Sequence, residues 1–139
     1  EQLKKLQKNI AIRKENFNRQ CEFFERYKKY FSNPLQKDNI NTAWLAFPIL
    51  INKSAPFSRK EFQIYLEKRN IQTRVVFTGN ITRQPMMKGI AYKVVENGYP
   101  NADAVMERGV LLPLHHGLTN SMFERLHETI SEFLDGFKE

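Results

Sequence analysis

Four hydrogen-bonding side chains crowd the short stretch Gly79–Pro85, which follows an apolar run: Asn80, Thr82, Arg83 and Gln84. Arginine presents a planar fork of N–H donors that matches a carboxylate or a phosphate. The same residue types also suit a loop that satisfies itself, because asparagine and threonine side chains close turns on their own backbone. Residue types alone therefore leave open an anion-binding loop around Arg83 or a purely structural turn.

One pair of adjacent histidines, His115-His116, follows another apolar run. Ligands often bind where strands end, so either ring could line a site. Neighbouring side chains on an extended chain point to opposite sides, and no HxxxH spacing accompanies the pair, so we expect no metal site there. The alternative is a surface or packing role. We expect a packing role for His127 as well, because it falls within the last predicted helix.

Catalytic motifs with strong spacing rules are missing from the sequence: it has no nucleophile elbow, no phosphate-binding P-loop and no GxGxxG. Cys21 is the single cysteine, which excludes an internal disulfide or a CxxC zinc site and favours a reducing, cytoplasmic setting. We therefore expect no catalytic residue in this chain.

Composition is that of one ordinary globular domain. Eleven Phe and five Tyr in 139 residues supply enough apolar area to exclude full-chain disorder, and no apolar run approaches the length of a membrane span. Residues 1–32 hold nine Lys/Arg against four Glu, so most of the net charge of +7 lies there. No nucleic-acid motif accompanies this charge, so we expect neither nucleic acid nor a membrane as partner. The chain lacks an initiator Met, and we expect it to be a fragment of a longer protein.

A long amphipathic helix is predicted over residues 3–31, because apolar residues recur there at spacings of three, four or seven. Arg13 and Gln20 interrupt the apolar stripe, while Phe23 widens it toward the C-terminal end. We therefore expect the second half to pack against a core and the first half to lack its partner. Pro34 is expected to end the helix.

Short strands and helices alternate through the rest of the chain. Pro48 cannot donate to a strand ladder, so it indicates an edge or a bulge. Ser58 and Glu61 form a capping box, and Asn101 and Thr119 are expected N-caps, with Asn120 the alternative to Thr119. The predicted strands are 43–51, 71–77 and 110–114, and the last helix has the apolar stripe Met122, Phe123, Leu126, Ile130, Phe133 and Leu134. Short strands covered by helices predict an α+β fold.

A family resemblance emerges from the run 71–85, Ile-Gln-Thr-Arg-Val-Val-Phe-Thr-Gly-Asn-Ile-Thr-Arg-Gln-Pro. It resembles the C-terminal domain of the DegT/DnrJ/EryC1/StrS sugar aminotransferases. The segments 43–51, 99–103 and 111–119 agree, in the family's order, and together the likeness covers about 42–135. The stretch Gly79–Pro85 is similar to the subgroup of CDP-4-keto-6-deoxyglucose 3-dehydrases of lipopolysaccharide biosynthesis.

The resemblance implies an α+β fold: the small C-terminal domain of the fold-type-I PLP-dependent transferases, with a short, mostly antiparallel sheet and helices packed on it. Residues 1–33 would be a long connecting helix from a larger domain outside this chain, and residues 34–139 the small domain. The larger domain would hold PMP or PLP, the catalytic His or Lys and, in some members, an iron–sulfur cluster. No cofactor is expected in this chain itself. The implied partners are a nucleotide-sugar substrate, a second copy in a homodimer and, in some members, a reductase.

Substrate-binding residues follow from the same resemblance. A nucleotide-sugar carries a diphosphate, which suits a loop arginine. The resemblance implies that Asn80, Arg83 and Gln84 face a shared cleft, with His115 or His116 beside them and Arg83 as the anion contact. His116 stands where many relatives have proline, so the role of the histidine pair stays open.

Three functions therefore remain possible. The first is part of a PMP-dependent nucleotide-sugar 3-dehydrase, and the second is the same fold in a PLP-dependent nucleotide-sugar aminotransferase. The third is a freestanding basic module for binding or dimerisation, which predicts salt-sensitive binding to a polyanion.

Overall fold

A computed structural model of the chain describes residues 1–137, without the side chain of Gln2. The described residues form helices around a small sheet, which confirms the predicted α+β class. In chain order the elements are α1 (Gln2–Glu25), β1 (Phe31–Ser32), β2 (Phe47–Ile51), α2 (Arg59–Glu67), β3 (Arg74–Val75), α3 (Pro100–Arg108), β4 (Gly109–Leu112) and α4 (Asn120–Asp135), with 3-10 turns at Ile81–Arg83 and Pro85–Met87.

The sheet has the strand order β1-β2-β4-β3, and each neighbouring pair is antiparallel. Phe47 pairs with Leu112 and Ile49 with Val110, so buried residues of the two central strands face each other. This agrees with the expected short antiparallel sheet. This strand pairing matters for the site, because it determines which loops lie near each end of β4.

The core lies between this sheet and helices α1, α2 and α4, whereas α3 has no fully buried residue and packs across β2 and β4. Aromatic rings dominate the core and meet in edge-on or stacked pairs, which add to the stability that burial of their area supplies. The most deeply buried members are Phe24, Phe47, Ile51, Phe62, Leu66, Val110, Leu112, Leu114, Ile130 and Leu134.

Helix α1 ends at Glu25, six residues before the predicted end. Asn52 explains the difference: its side-chain amide donates to the carbonyls of Lys28 (2.9 Å) and Lys29 (3.2 Å). These bonds hold residues 26–30 in turns, and Phe31 then pairs with Ile51 as a strand. Periodicity alone could not distinguish a buried phenylalanine on a helix from one on a strand.

The two halves of α1 differ as expected. Leu3 is 83% exposed and Leu6 44%, whereas Phe23 and Phe24 are buried. The apolar side chains at the start of α1 therefore lie in solvent, whereas those near its end lie in the core. None of the described helices is both long enough and apolar enough to cross a bilayer.

The predicted strand 43–51 is shortened at its start, because Trp44 leaves the sheet to stack on Phe17 of α1 at 4.7 Å. Pro48 pairs with Leu111 of β4, while β1 reaches only Leu50 and Ile51. The proline therefore sits where β2 has one neighbouring strand, as its missing N–H requires.

Two of the three predicted helix N-caps are present in the structure. The capping box of Ser58 and Glu61 and the Thr119 cap are both present. Asn101 is not an N-cap: α3 begins one residue earlier at Pro100, whose fixed φ suits the first helical position. Met122 is half exposed and does not belong to the buried stripe of α4.

Candidate functional site

Asn80 organises the loop that follows β3. It is 4% exposed, and its Oδ1 accepts from the Thr82 N–H (3.0 Å) and from the Thr82 hydroxyl (2.7 Å), which caps the first 3-10 turn. The turn-closing interpretation of these residue types is therefore correct for both. The Asn80 amide donates outward, to Asp103 Oδ1 at 2.7 Å.

Arg83 forms a two-pronged ion pair with Asp103 in the first turn of α3. Its Nε donates to Oδ1, and its Nη2 donates to Oδ2 at 2.7 Å. Hydrogen bonds from Arg83 and then Asn80 lower the pKa of the Asp103 carboxyl, and the same ion pair raises the pKa of Arg83. Both groups therefore stay charged throughout the neutral range.

Asp103 is a further residue of this site, and the sequence pattern indicates it only as part of a helix start. A signal existed: an acidic residue in the first turn, behind a proline at the first helical position, is stabilised by the helix dipole and held in a fixed place. Nothing in the sequence, however, indicated that it would meet Arg83, twenty positions away.

A cleft of about 270 Å³ opens beside this ion pair. Its lining includes Asn80, Arg83, Asp103, Tyr92 and Tyr99. Arginine, a carboxylate and two aromatic rings can together hold a polar ligand that carries a flat or ring-shaped part. Among the described residues, no hydrogen bond uses Arg83 Nη1, so this edge of the guanidinium is available to an anion.

Gln84 does not line this cleft. Its amide donates to the backbone carbonyl of Thr78 (2.9 Å) and approaches the sulfur of Met106. Its side chain therefore closes the loop on itself, and the expectation that it faces the substrate cleft stays a prediction. Gly79 allows this close packing, because a Cβ at its position would lie 2.2 Å from Met106 Cβ.

His115 and His116 are not among the residues that line the Arg83 cleft. The Arg83 loop packs against α3, which leads into the start of β4, whereas His115 and His116 follow the end of β4. Both histidines are exposed, and His115 Nδ1 accepts from the Gly117 N–H at 3.1 Å. A role for either ring in binding substrate stays a prediction.

Two amides of α1 hold the chain beyond β4 in place. Asn16 Nδ2 donates to the His115 carbonyl (3.1 Å), and Gln20 Nε2 donates to the Pro113 carbonyl (3.4 Å). Both side chains are buried. Gln20 therefore interrupts the apolar stripe because its buried amide bonds the backbone beyond β4. The spacing of apolar residues predicts the interruption but not this bond.

A second groove, of about 460 Å³, runs along α2 and was not predicted. Its lysines, Lys60 and Lys68, are exposed, and its Gln63 and Glu67 are already bonded to Thr73. It offers a weakly basic, solvent-exposed surface. Within residues 1–137, no cluster of three or more His, Cys, Asp or Glu side chains could hold a metal ion.

Comparison with known proteins places these features in context. The model of the DegT/DnrJ/EryC1/StrS aminotransferase family matches residues 1–131. The chain is 27% identical over 136 residues to the lipopolysaccharide biosynthesis protein RfbH of Salmonella typhimurium, covering 98% of this chain and 30% of that protein. It is 34% identical over 101 residues to the dTDP-4-dehydro-2,6-dideoxy-D-glucose 3-dehydratase of Saccharopolyspora spinosa, covering 73% of this chain and 22% of that protein.

Solved structures agree on the fold. The GDP-4-keto-6-deoxy-D-mannose-3-dehydratase of Escherichia coli, solved with bound hydrated PLP, matches 92% of this chain with a TM-score of 0.78 and 26% identity. An aminotransferase from Psychrobacter cryohalolentis reaches a TM-score of 0.84 over 97% of this chain at 15% identity, which shows the fold alone. The chain spans 32% and 36% of these two structures, so it corresponds to about a third of each. The expected transferase fold is confirmed.

Proposed function

Because this chain belongs to the DegT/DnrJ/EryC1/StrS aminotransferase family, we propose that it forms part of a nucleotide-sugar 3-dehydratase of deoxysugar or lipopolysaccharide biosynthesis. The observation that carries this proposal is the similarity to RfbH along 98% of the chain, joined by two kinds of named nucleotide-sugar 3-dehydratase among the other relatives. The chain spans less than a third of these relatives, so the reaction is a proposal about the whole protein.

The proposed role of this chain is to bind and orient substrate. In this proposal residues 34–139 form the small domain, and residues 1–33 connect it to the domain that performs the chemistry. Arg83 supports the role: it lines the cleft, and no hydrogen bond among the described residues uses its Nη1 donors, which could bind the diphosphate of a nucleotide-sugar. Gln84, His115 and His116 are left out of this contact because of where they lie.

The cofactor of the family, PLP or PMP, supplies the electron sink for chemistry on the keto sugar when bound. The two grooves described above do not fit it. The Arg83 cleft has neither lysine nor histidine in its lining, and the lysines of the α2 groove are exposed to water. In this proposal the cofactor is therefore bound by parts of the protein outside this chain.

A nucleotide-sugar aminotransferase is the second candidate. The dTDP-4-amino-4,6-dideoxy-D-glucose transaminase of Escherichia coli is 31% identical over 88 residues. The proposed partners are the same for both: a nucleotide-sugar and a second copy of the protein, in the cytoplasm.

The test uses the protein expressed from its complete coding sequence. It is incubated with PLP, glutamate and the dTDP-, GDP- or CDP-linked 4-keto-6-deoxy sugar, and the products are analysed by mass spectrometry. Loss of the C3 hydroxyl supports the dehydratase. Transfer of an amino group to the sugar with release of 2-oxoglutarate favours the aminotransferase. If neither product forms and the protein instead binds heparin or nucleic acid in a salt-sensitive way, the basic-module alternative replaces both.

A further inference from the structure

Asp103 makes more contacts to the Arg83 loop than an ordinary surface carboxylate would. Its Oδ1 accepts from Asn80 and from Arg83 Nε, and its Oδ2 accepts from Arg83 Nη2. Its side chain is 20% exposed, against 57% for Arg83. The carboxylate is thus the shielded and fixed member of the pair, and the guanidinium is the member that reaches solvent.

This pairing decides which face of Arg83 a ligand can meet. A guanidinium carries five N–H donors in one plane, and the Nε and Nη2 edge is taken by Asp103. The Nη1 donors are left at the opposite edge of the same plane, and Arg83 lines the cleft together with Tyr92 and Tyr99. Without Asp103, a long side chain with several rotatable bonds would have to be ordered at the moment of binding, at a cost in entropy.

Asn80 extends the same restraint to the backbone. It is buried, it caps the 3-10 turn that contains Arg83, and it donates to Asp103. One carboxylate therefore fixes both the arginine side chain and the turn that carries it. These contacts tie the loop to the rigid first turn of α3.

We propose that Asp103 is a positioning residue, which holds the Arg83 guanidinium with its Nη1 edge toward the diphosphate of the substrate. This inference rests on the proposed function, in which Arg83 contacts that diphosphate. It assigns Asp103 no contact with the substrate itself. Its effect on binding is exerted through Arg83.

The competing explanation is electrostatic, and it predicts the opposite sign. A carboxylate beside an anion site repels the anion, so a variant that only removes this charge should bind the ligand more tightly. Glu107 provides the matched control, because it acts on Arg83 by charge without a hydrogen bond to it. Glu107→Gln removes a nearby negative charge and leaves the geometry of Arg83 intact.

The experiment measures Kd for dTDP, GDP and CDP by calorimetry, in the protein expressed from its complete coding sequence. Asp103→Ala should weaken the Kd of the nucleotide that binds by about three- to tenfold, Asp103→Asn by less, and Glu107→Gln should leave it unchanged or tighten it. Arg83→Ala should weaken it about 5- to 150-fold. The double variant Arg83→Ala/Asp103→Ala should be no weaker than Arg83→Ala alone, because Asp103 then has no arginine to position.

The results separate this inference from the proposed function. If Arg83→Ala binds as tightly as wild type, the substrate contact fails and the positioning role fails with it. If Arg83→Ala weakens binding but Asp103→Ala and Asp103→Asn do not, or if the losses add in the double variant, Asp103 does not act through Arg83. Asp103→Asn, which is close to isosteric, keeps the test decisive where Asp103→Ala unfolds.

Discussion

Gln20 Oε1 and His127 Nε2 lie 2.9 Å apart where α1 packs against α4. Gln20 is fully buried, and its amide also donates to the Pro113 carbonyl. The His127 ring stacks on Phe23, with ring centroids 3.9 Å apart. A polar bridge therefore ties two helices and the end of β4 together inside an otherwise aromatic interface.

Stability should fall in acid because of His127. Burial, followed by the charges of Arg19 and Arg26, lowers its pKa from 6.5 to about 4. The unfolded chain therefore binds a proton that the folded protein excludes, so the free energy of unfolding decreases as the pH falls from about 6.5 to about 4. The loss should be on the order of 1–2 kcal/mol, less than the full shift implies, because the ring is partly solvated. Urea unfolding at several pH values measures it, and in His127→Gln this part of the slope should vanish. An unchanged slope in the variant would show that another group is responsible.

Gln20→Ala should destabilise the protein by about 2–4 kcal/mol. The substitution leaves a cavity and removes the partner of both the Pro113 carbonyl and His127 Nε2. The matched control is Gln7→Ala, on the exposed part of the same helix, which should change the free energy of unfolding by less than about 0.5 kcal/mol. Equal losses in the two variants would mean that the buried bridge contributes nothing.

The sequence predicted correctly those features that depend on residues close together along the chain. The capping box at Ser58, the Thr119 cap and the buried second half of α1 each depend on residues within a few positions of one another. The family resemblance identified the fold for a similar reason, because segments in a fixed order carry it. The predicted end of α1 and the predicted start of β2 were wrong, because both depend on residues far apart in the sequence. Asn52 holds the residues after α1 in turns, and Trp44 stacks on Phe17 of α1 instead of continuing the strand.

In the candidate site, too, short-range contacts were predictable from the sequence and long-range contacts were not. Asn80 and Thr82 close a turn, as their types allow, and the arginine beside them does line a cleft. The ion pair between Arg83 and Asp103 depends on how α3 is placed against the loop. The absence of His115 from the lining of the cleft likewise depends on the arrangement of α3 and β4. Residue types and spacing carry no information on that arrangement.

Gly79 and Gly89 test how closely the Arg83 loop packs on α3. Both have positive φ, +64° and +81°, so alanine is strained at either position. At Gly89 a Cβ would meet nothing within 4 Å, whereas at Gly79 it would overlap Met106. Gly89→Ala should therefore cost about 1 kcal/mol of stability, and Gly79→Ala about 2–5 kcal/mol, because the loop must move off the helix. Urea unfolding of the pair measures the difference, and similar losses would mean that this contact is loose.

The thiol of Cys21 should react slowly with alkylating reagents, although it forms no disulfide. Burial, and then the charge of Glu22, raises its pKa to about 11. The reactive thiolate is therefore scarce at pH 8, and alkylation by iodoacetamide should be roughly a hundredfold slower than at an ordinary exposed cysteine. The reference is Ser54→Cys in a Cys21→Ala background, because Ser54 is exposed. The rate at Cys21 should climb as the pH approaches 11 and should match the reference once urea unfolds the protein. Fast labelling of the folded protein at pH 8 would contradict the half-buried position of the thiol on α1, and with it the packing of that part of the helix.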